Sequence, residues 1–322
     1  MRRLVGSAWL RASFARAAAF AVLIAVTPIL SADAFADRVS LRALAGDRVL
    51  TFTRADGALA AGAEDGSATT LFALPRGGFV ANHAWSHDGS RIAFARCFGR
   101  NCRHGSVYVI GADGSGERLV IANAVAAVWM PDDTHLLVDR ADRPGHWIVS
   151  VVDRSRRPYA PRVLAAAPFS PRLSPDGRWL LHLARIYGRS VPSPNAPHHA
   201  RARNWLILTD LRSGRSRRVS NERGLYFIGT APWSPDGTKF TFTRRRFLQA
   251  SGGRIYVATP SGGDIQPVAD GAREAGAWSP DGLRLAFNIG NACAIRVASV
   301  DGGSAPRTLP FKGCLPTWRP SP

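Results

Sequence analysis

Trp233-Ser234-Pro235-Asp236-Gly237-Thr238-Lys239-Phe240-Thr241-Phe242 is the stretch on which the fold turns. Proline presets φ at the second position of a turn, serine and aspartate side chains bond nearby backbone groups, and glycine accepts positive φ. Ser-Pro-Asp-Gly therefore reads as a tight hairpin turn. The alternation Phe240, Phe242 after it predicts a strand with one buried face.

The stretch has copies. Trp85-Ser86-His87-Asp88-Gly89 leads into Ile92 and Phe94, and Trp278-Ser279-Pro280-Asp281-Gly282 leads into Leu285 and Phe287. Weaker copies stand at Trp129-Met130-Pro131-Asp132-Asp133 and Leu173-Ser174-Pro175-Asp176-Gly177, and a truncated one at Trp318-Arg319-Pro320. The anchors Trp85, Trp129, Leu173, Trp233, Trp278 and Trp318 are spaced 44, 44, 60, 45 and 40 residues apart. A four-stranded propeller blade repeats every ~40–45 residues. The spacing of 60 marks an insertion before Trp233.

Between anchors the strands recur. Ser106–Ile110, Asn204–Leu208 and Arg254–Ala258 read as second strands, Glu117–Ile121 and Ile265–Val268 as third strands, and each fourth strand ends on the next anchor. Before Trp85 lie three strands, about Arg48–Phe52, Ala58–Gly62 and Thr69–Leu74, and the segment ending at Trp318 is the spare fourth. The expected fold is all-β, a six-bladed β-propeller closed by that C-terminal strand joining the first blade, which leaves no open sheet edge. The tryptophans are expected to pack between blades as scaffold.

Trp-Ser-Pro-Asp-Gly followed by Ile-Ala-Phe-like and Ile-Tyr-Val-like strands resembles the TolB-like, WD40-like propeller repeat. The resemblance covers the propeller part only, and it implies an envelope protein that binds other proteins. Similar repeats occur in the propeller part of prolyl-oligopeptidase-type peptidases and in an oligogalacturonate lyase family. A peptidase would need an α/β-hydrolase domain with Gly-x-Ser-x-Gly, which the sequence lacks.

The N-terminus reads as an export signal. Arg2, Arg3, Arg11 and Arg16 precede and enter the apolar run 17–30, and Ala34-Phe35-Ala36 offers a cleavage site. We expect a signal peptide over 1–36, a propeller over 37–322 without a transmembrane segment, and a periplasmic or secreted monomer. The first 36 residues contribute +3, because four arginines stand against Asp33, which leaves +16 of the chain's net +19. Only Lys239 and Lys312 are lysines, so arginine carries nearly all of the positive charge.

Four cysteines in an exported chain favour disulfides. Cys97 and Cys102 flank a short loop and Cys293 and Cys314 remain as the other pair; three pairings are open on sequence alone. The C-x-x-C spacing of zinc sites is absent, and neither metal nor cofactor is expected. His198 and His199 lie in the Pro-rich insertion 187–203, where with His104, His146 and His182 they could gather only if that loop folded back. It reads as a solvated lid.

Two candidate sites follow. Polar residues expected to face the central channel are Asn82, His83, Arg172, Thr230, Arg273 and Glu274, a small set with one carboxylate. Loops after the motif strands collect Arg96, Arg100, Arg103, Arg140, Arg189, Arg203, Arg244, Arg245 and Arg246, and topology assigns them to one face. That face predicts binding of an anionic partner, an envelope protein, an anionic glycan or lipid headgroups. Nucleic acid is a poor partner for an exported chain without interleaved exposed aromatics. The expected role is a non-enzymatic interaction module; the alternative is a channel lyase or hydrolase acting on an acidic polysaccharide.

Overall fold

The Ser-x-Asp-Gly turns close by one scheme. In the turn after Trp233, the Ser234 hydroxyl donates to Asp236 Oδ1 at 2.6 Å and accepts the Lys239 N–H at 2.9 Å, while Thr238 N–H donates to Asp236 at 3.0 Å. Gly237 sits at φ +68°, the left-handed region that glycine enters at little cost. Ser86, Ser174 and Ser279 repeat the bond to the aspartate two residues on. Each such turn fixes the register of the strand pair it joins.

The computed structural model describes residues 49–321, except 74–77, 99–101, 103–104, 141–145, 160–168, 187–202, 223, 246–251, 275 and 291. The described residues form strands, turns and irregular segments, with no helix. Antiparallel four-stranded sheets follow one another along the chain. The first combines β1 (Val49–Thr53), β2 (Leu59–Ala63) and β3 (Ala68–Phe72) with β24 (Cys314–Trp318), in the order β24-β1-β2-β3. The second is β4 (Gly78–Trp85), β5 (Arg91–Phe98), β6 (Ser106–Gly111) and β7 (Arg118–Ala122). The third is β8 (Ala124–Trp129), β9 (His135–Arg140), β10 (His146–Ser150) and β11 (Arg156–Tyr159). The fourth is β12 (Phe169–Leu173), β13 (Trp179–Ile186), β14 (Arg203–Asp210) and β15 (Ser216–Arg218).

The remaining strands are β16 (Leu225–Phe227), β17 (Phe240–Arg245), β18 (Gly253–Ala258) and β19 (Gln266–Ala272), then β20 (Ala277–Trp278), β21 (Arg284–Ile289), β22 (Ala294–Ser299) and β23 (Arg307–Lys312). A single pairing, Ala272 with Ile289, links these two sets. The first strands of both sets are short, 3 residues in β16 and 2 in β20. β16 stops at Phe227 because Gly229 and Pro232 follow, and proline offers no N–H to a ladder. The Pro232 carbonyl instead accepts Thr241 N–H at 2.7 Å and Trp278 Nε1–H at 2.8 Å.

The last strand does pair with the first. Leu50 stands opposite Trp318 and Thr51 opposite Thr317, whose hydroxyls meet at 2.8 Å.

The core lies between sheets. Ala84, Val107 and Val109 meet Trp129, Leu136 and Val138; Leu181 and Leu206 meet Tyr226, Trp233 and Phe242; Leu50 and Phe52 meet Ala277, Ile295 and Val297 of the last set. Fully burying one phenylalanine such as Phe94 or Phe240 stabilises by about 1.5–3 kcal/mol. The first and second sheets carry core on both faces, so alternate residues of β24 and β4 enter different interfaces. That parity decides where the polar candidates point.

Candidate functional site

The first strands of the sheets end around one cavity of about 420 Å³. Its walls are Trp85, Trp129, Leu173, Trp233, Trp278 and Trp318, the anchors of the repeat. Two residues beyond each anchor, Pro131, Pro175, Pro235, Pro280 and Pro320 form the rim, with His87 in the equivalent place after Trp85. We call this cavity the cup.

The tryptophans are only 4–8 % exposed, and the indole N–H groups of all but Trp318 donate to groups in neighbouring segments. Trp85 donates to Thr51 Oγ1 at 2.9 Å, Trp129 to the Ala84 carbonyl at 3.0 Å and Trp233 to the Arg172 carbonyl at 3.2 Å. Arginines cover several of their faces: Arg91 lies 4.8 Å from the Trp129 ring, Arg284 5.2 Å from Trp318 and Arg319 5.7 Å from Trp85. What the cup presents is chiefly pyrrolidine rings and indole edges.

The ionisable side chains lining the cup are Arg172, Arg319 and His87, and no carboxylate is among them. Arg172 comes from β12. Its Nε donates to the Gly229 carbonyl at 2.8 Å and its Nη1 to its neighbour Pro171 at 2.9 Å. Burial pulls its pKa below the ordinary arginine value, against the attraction of Asp139 and Glu274. Burial likewise pushes the Glu274 carboxyl up, opposed by Arg273 and Arg172. Asp139 of β9 is bound to Nδ1 of His146 on β10. His182 follows on β13, bonded through Nε2 to Thr209 at 3.2 Å, its pKa brought down to about 4 by burial and by the neighbouring His146.

Of the six channel candidates, Arg172 and Thr230 line the cup. Asn82 and His83 do not, which corrects the expectation. Asn82 turns toward the third sheet, where its Oδ1 accepts the Ala127 N–H at 3.1 Å. His83 is 0 % exposed, and burial holds its pKa down to about 4 against a weaker opposing interaction with the Thr51 backbone. Both faces of β4 are covered by neighbouring sheets, so polarity did not send these side chains to the cavity. Arg273 is exposed and Glu274 half-buried, away from the cup lining. Sequence reasoning missed Asp139, and considered His146 only as one of several histidines that the insertion might gather. The signal was available: Leu136-Leu137-Val138-Asp139 ends on a carboxylate where Phe240-Thr241-Phe242-Thr243 and Leu285-Ala286-Phe287-Asn288 do not.

Among the arginine candidates, Arg96 lies 5.1 Å from the Phe98 ring, Arg140 5.6 Å from Trp147, Arg244 4.9 Å from Tyr256 and Arg245 5.3 Å from Phe227. Arg244 also pairs with Glu222. These side chains are partly engaged locally. Arg100, Arg103, Arg189 and Arg246 lie outside the described residues, as do His104, His198 and His199, and only the backbone of Arg203 is described. Both disulfides form, Cys97 with Cys102 and Cys293 with Cys314.

No protein-family model matches the chain, and no curated protein matches it. Solved structures do. A chain of the nidogen/laminin complex is 9 % identical with a TM-score of 0.57, over 85 % of this chain and 98 % of that one. The fold is a β-propeller. TolB from Acinetobacter baumannii is 16 % identical over 73 % of this chain and 68 % of its own, TM-score 0.39. An oligogalacturonate lyase in complex with manganese is 15 % identical over 80 % and 71 %, TM-score 0.48. No helix among the described residues is long and apolar enough to cross a membrane.

Proposed function

We propose that this is an exported protein whose residues 37–322 form a closed six-bladed β-propeller, and that it is a non-enzymatic module binding an envelope protein or another anionic partner. Closure by β24 is supported by its pairing with β1 and by the core shared between the first and last sheets. Export is supported by the signal-like N-terminus and the two disulfides.

The observation that carries the binding role is the lining of the cup: apolar rings, with ionisable groups of one sign. A concave apolar pocket with a few convergent polar groups is the usual form of a ligand site, and cationic lining selects an anionic partner. The arginine-rich strand ends, Arg96, Arg140, Arg203, Arg244 and Arg245, are the second candidate surface, with Arg100, Arg103, Arg189 and Arg246 near them in the sequence.

The test is capture from an envelope extract by the wild type, by Arg172→Gln and by the triple reversal of Arg244, Arg245 and Arg246 to glutamate. Loss in Arg172→Gln places binding at the cup, and loss in the reversal places it at the arginine ends. Identical capture by all three, or turnover of an acidic polysaccharide by the wild type, overturns the reading.

A further inference from the structure

The chemistry of the cup narrows its ligand. Arg172 is cationic, and among the described residues no carboxylate stands within ion-pair distance of it: Asp139, bound to His146, and Glu274 attract it only from farther away. Its Nε and Nη1 are bound to backbone carbonyls, which fixes the guanidinium and leaves Nη2 as the donor for a ligand. A guanidinium held in place this way suits a carboxylate, because little side-chain entropy remains to be lost on binding. Beside it, Thr230 adds a hydroxyl, and His87 adds an imidazole whose Nδ1 faces Asp133, so Nε2 is the atom left for a ligand.

The rest of the lining speaks against a sugar. Sugar rings need an open aromatic face and many hydrogen-bond partners, whereas Trp85, Trp129 and Trp318 each have an arginine over the ring. The Ser234 hydroxyl is spent on Asp236 and Lys239, and that of Thr317 on Thr51. Pyrrolidine walls such as Pro175, Pro235 and Pro280 suit aliphatic side chains or another proline. A volume of about 420 Å³ is that of a small-ligand pocket and admits a chain end, not a folded domain.

We infer that the cup receives the free C-terminal carboxylate of an extended, apolar polypeptide segment, with the carboxylate on Arg172 and flanked by Thr230 and His87. This rests on the binding role proposed above and specifies its ligand. The probe is a pool of N-acetylated tripeptides with apolar residues at every position, made both as free acids and as C-terminal amides and titrated against the intrinsic tryptophan fluorescence of the protein.

The expected result is that free acids bind at least tenfold more tightly than the matching amides. Arg172→Gln should abolish the difference and Thr230→Val should reduce it severalfold, with near-UV circular dichroism confirming that each variant is folded. Equal binding of acid and amide overturns the inference, as does binding of a linear tri-uronate in the cup when no peptide acid binds. If no acid binds while Arg172→Gln still loses a protein that the wild type captures, the ligand assignment fails and the binding role stands. If capture too is unaffected, both fail.

Discussion

The carboxylate of Asp133 clasps the turn that carries His87. Its Oδ1 accepts the His87 backbone N–H and meets His87 Nδ1, both at 2.8 Å, and its Oδ2 accepts the Asp88 N–H at 3.0 Å. The two residues are paired exceptions to the repeat. His87 stands where other copies have proline, which has no N–H to offer, and Asp133 stands at φ 50° where the other turns have glycine. A lost proline in one sheet is answered by a lost glycine in the next.

Asp133→Ala should therefore lower the unfolding free energy by about 2 kcal/mol, since bonds to a charged acceptor contribute about 1.5–3 kcal/mol. Asp133→Gly should cost about 1 kcal/mol less, because glycine relieves a left-handed conformation that costs about 1–2 kcal/mol. Urea denaturation measures both, and a wild-type midpoint for Asp133→Ala would remove the clasp from the stability account.

Stability should fall with acidification from about pH 6.5. His83 and His182 have folded pKa values brought to about 4 against 6.5, so the unfolded chain binds more protons between those values. The native state is then at full advantage above pH 6.5 and loses stability progressively as pH falls toward 4. A shift of that size corresponds to at most about 3 kcal/mol per histidine. Thermal denaturation across this window should show the slope, and His83→Gln combined with His182→Gln should flatten it; an unchanged slope in the double variant would contradict the assignment.

The two disulfides should differ in weight. Cys293–Cys314 spans 21 residues and ties the approach to β22 to the start of β24, whereas Cys97–Cys102 spans 5 residues within one loop. Loop-closure entropy assigns about 3 kcal/mol to the first and about 2 kcal/mol to the second. Cys293→Ala with Cys314→Ala should lower the melting temperature more than the corresponding Cys97 and Cys102 pair does; the reverse order would show that chain entropy is not what these bridges contribute.

Thr51 links the first strand, the last strand and the second sheet, because its hydroxyl meets Thr317 Oγ1 and accepts Trp85 Nε1–H. Thr51→Val keeps the volume and strands two buried polar groups, at a cost of about 1–3 kcal/mol each. The variant should show a lowered midpoint together with faster hydrogen exchange at the β1–β24 ladder. Normal exchange there would show that β24 is held by packing alone.

Much of the architecture was legible in the sequence. Ser-x-Asp-Gly turns and the alternation after them are local, set by φ preferences and side-chain-to-backbone bonds within five residues, so the strands around Trp85, Trp233 and Trp278 could be placed closely. The spacing of the anchors gave the four-stranded unit, and the tryptophans are scaffold, as their burial shows. The shortened β16 was less legible, because Gly229 and Pro232 act on a ladder whose partner groups come from elsewhere in the chain.

The site was another matter. Periodicity says that Asn82 and His83 face opposite ways, but not that neighbouring sheets cover both directions; only stacking of the sheets buries the two and leaves Arg172 and Thr230 at the cup. In the same way β9 brings Asp139 near Arg172, and β8 follows β4 closely enough for Asp133 to reach His87. The sequence by itself determined the turns, the strands and the residues that anchor them, because those depend on neighbours a few positions away. The tertiary structure alone decided which charges share a cavity, since electrostatic proximity depends on distances between sheets that no local pattern encodes.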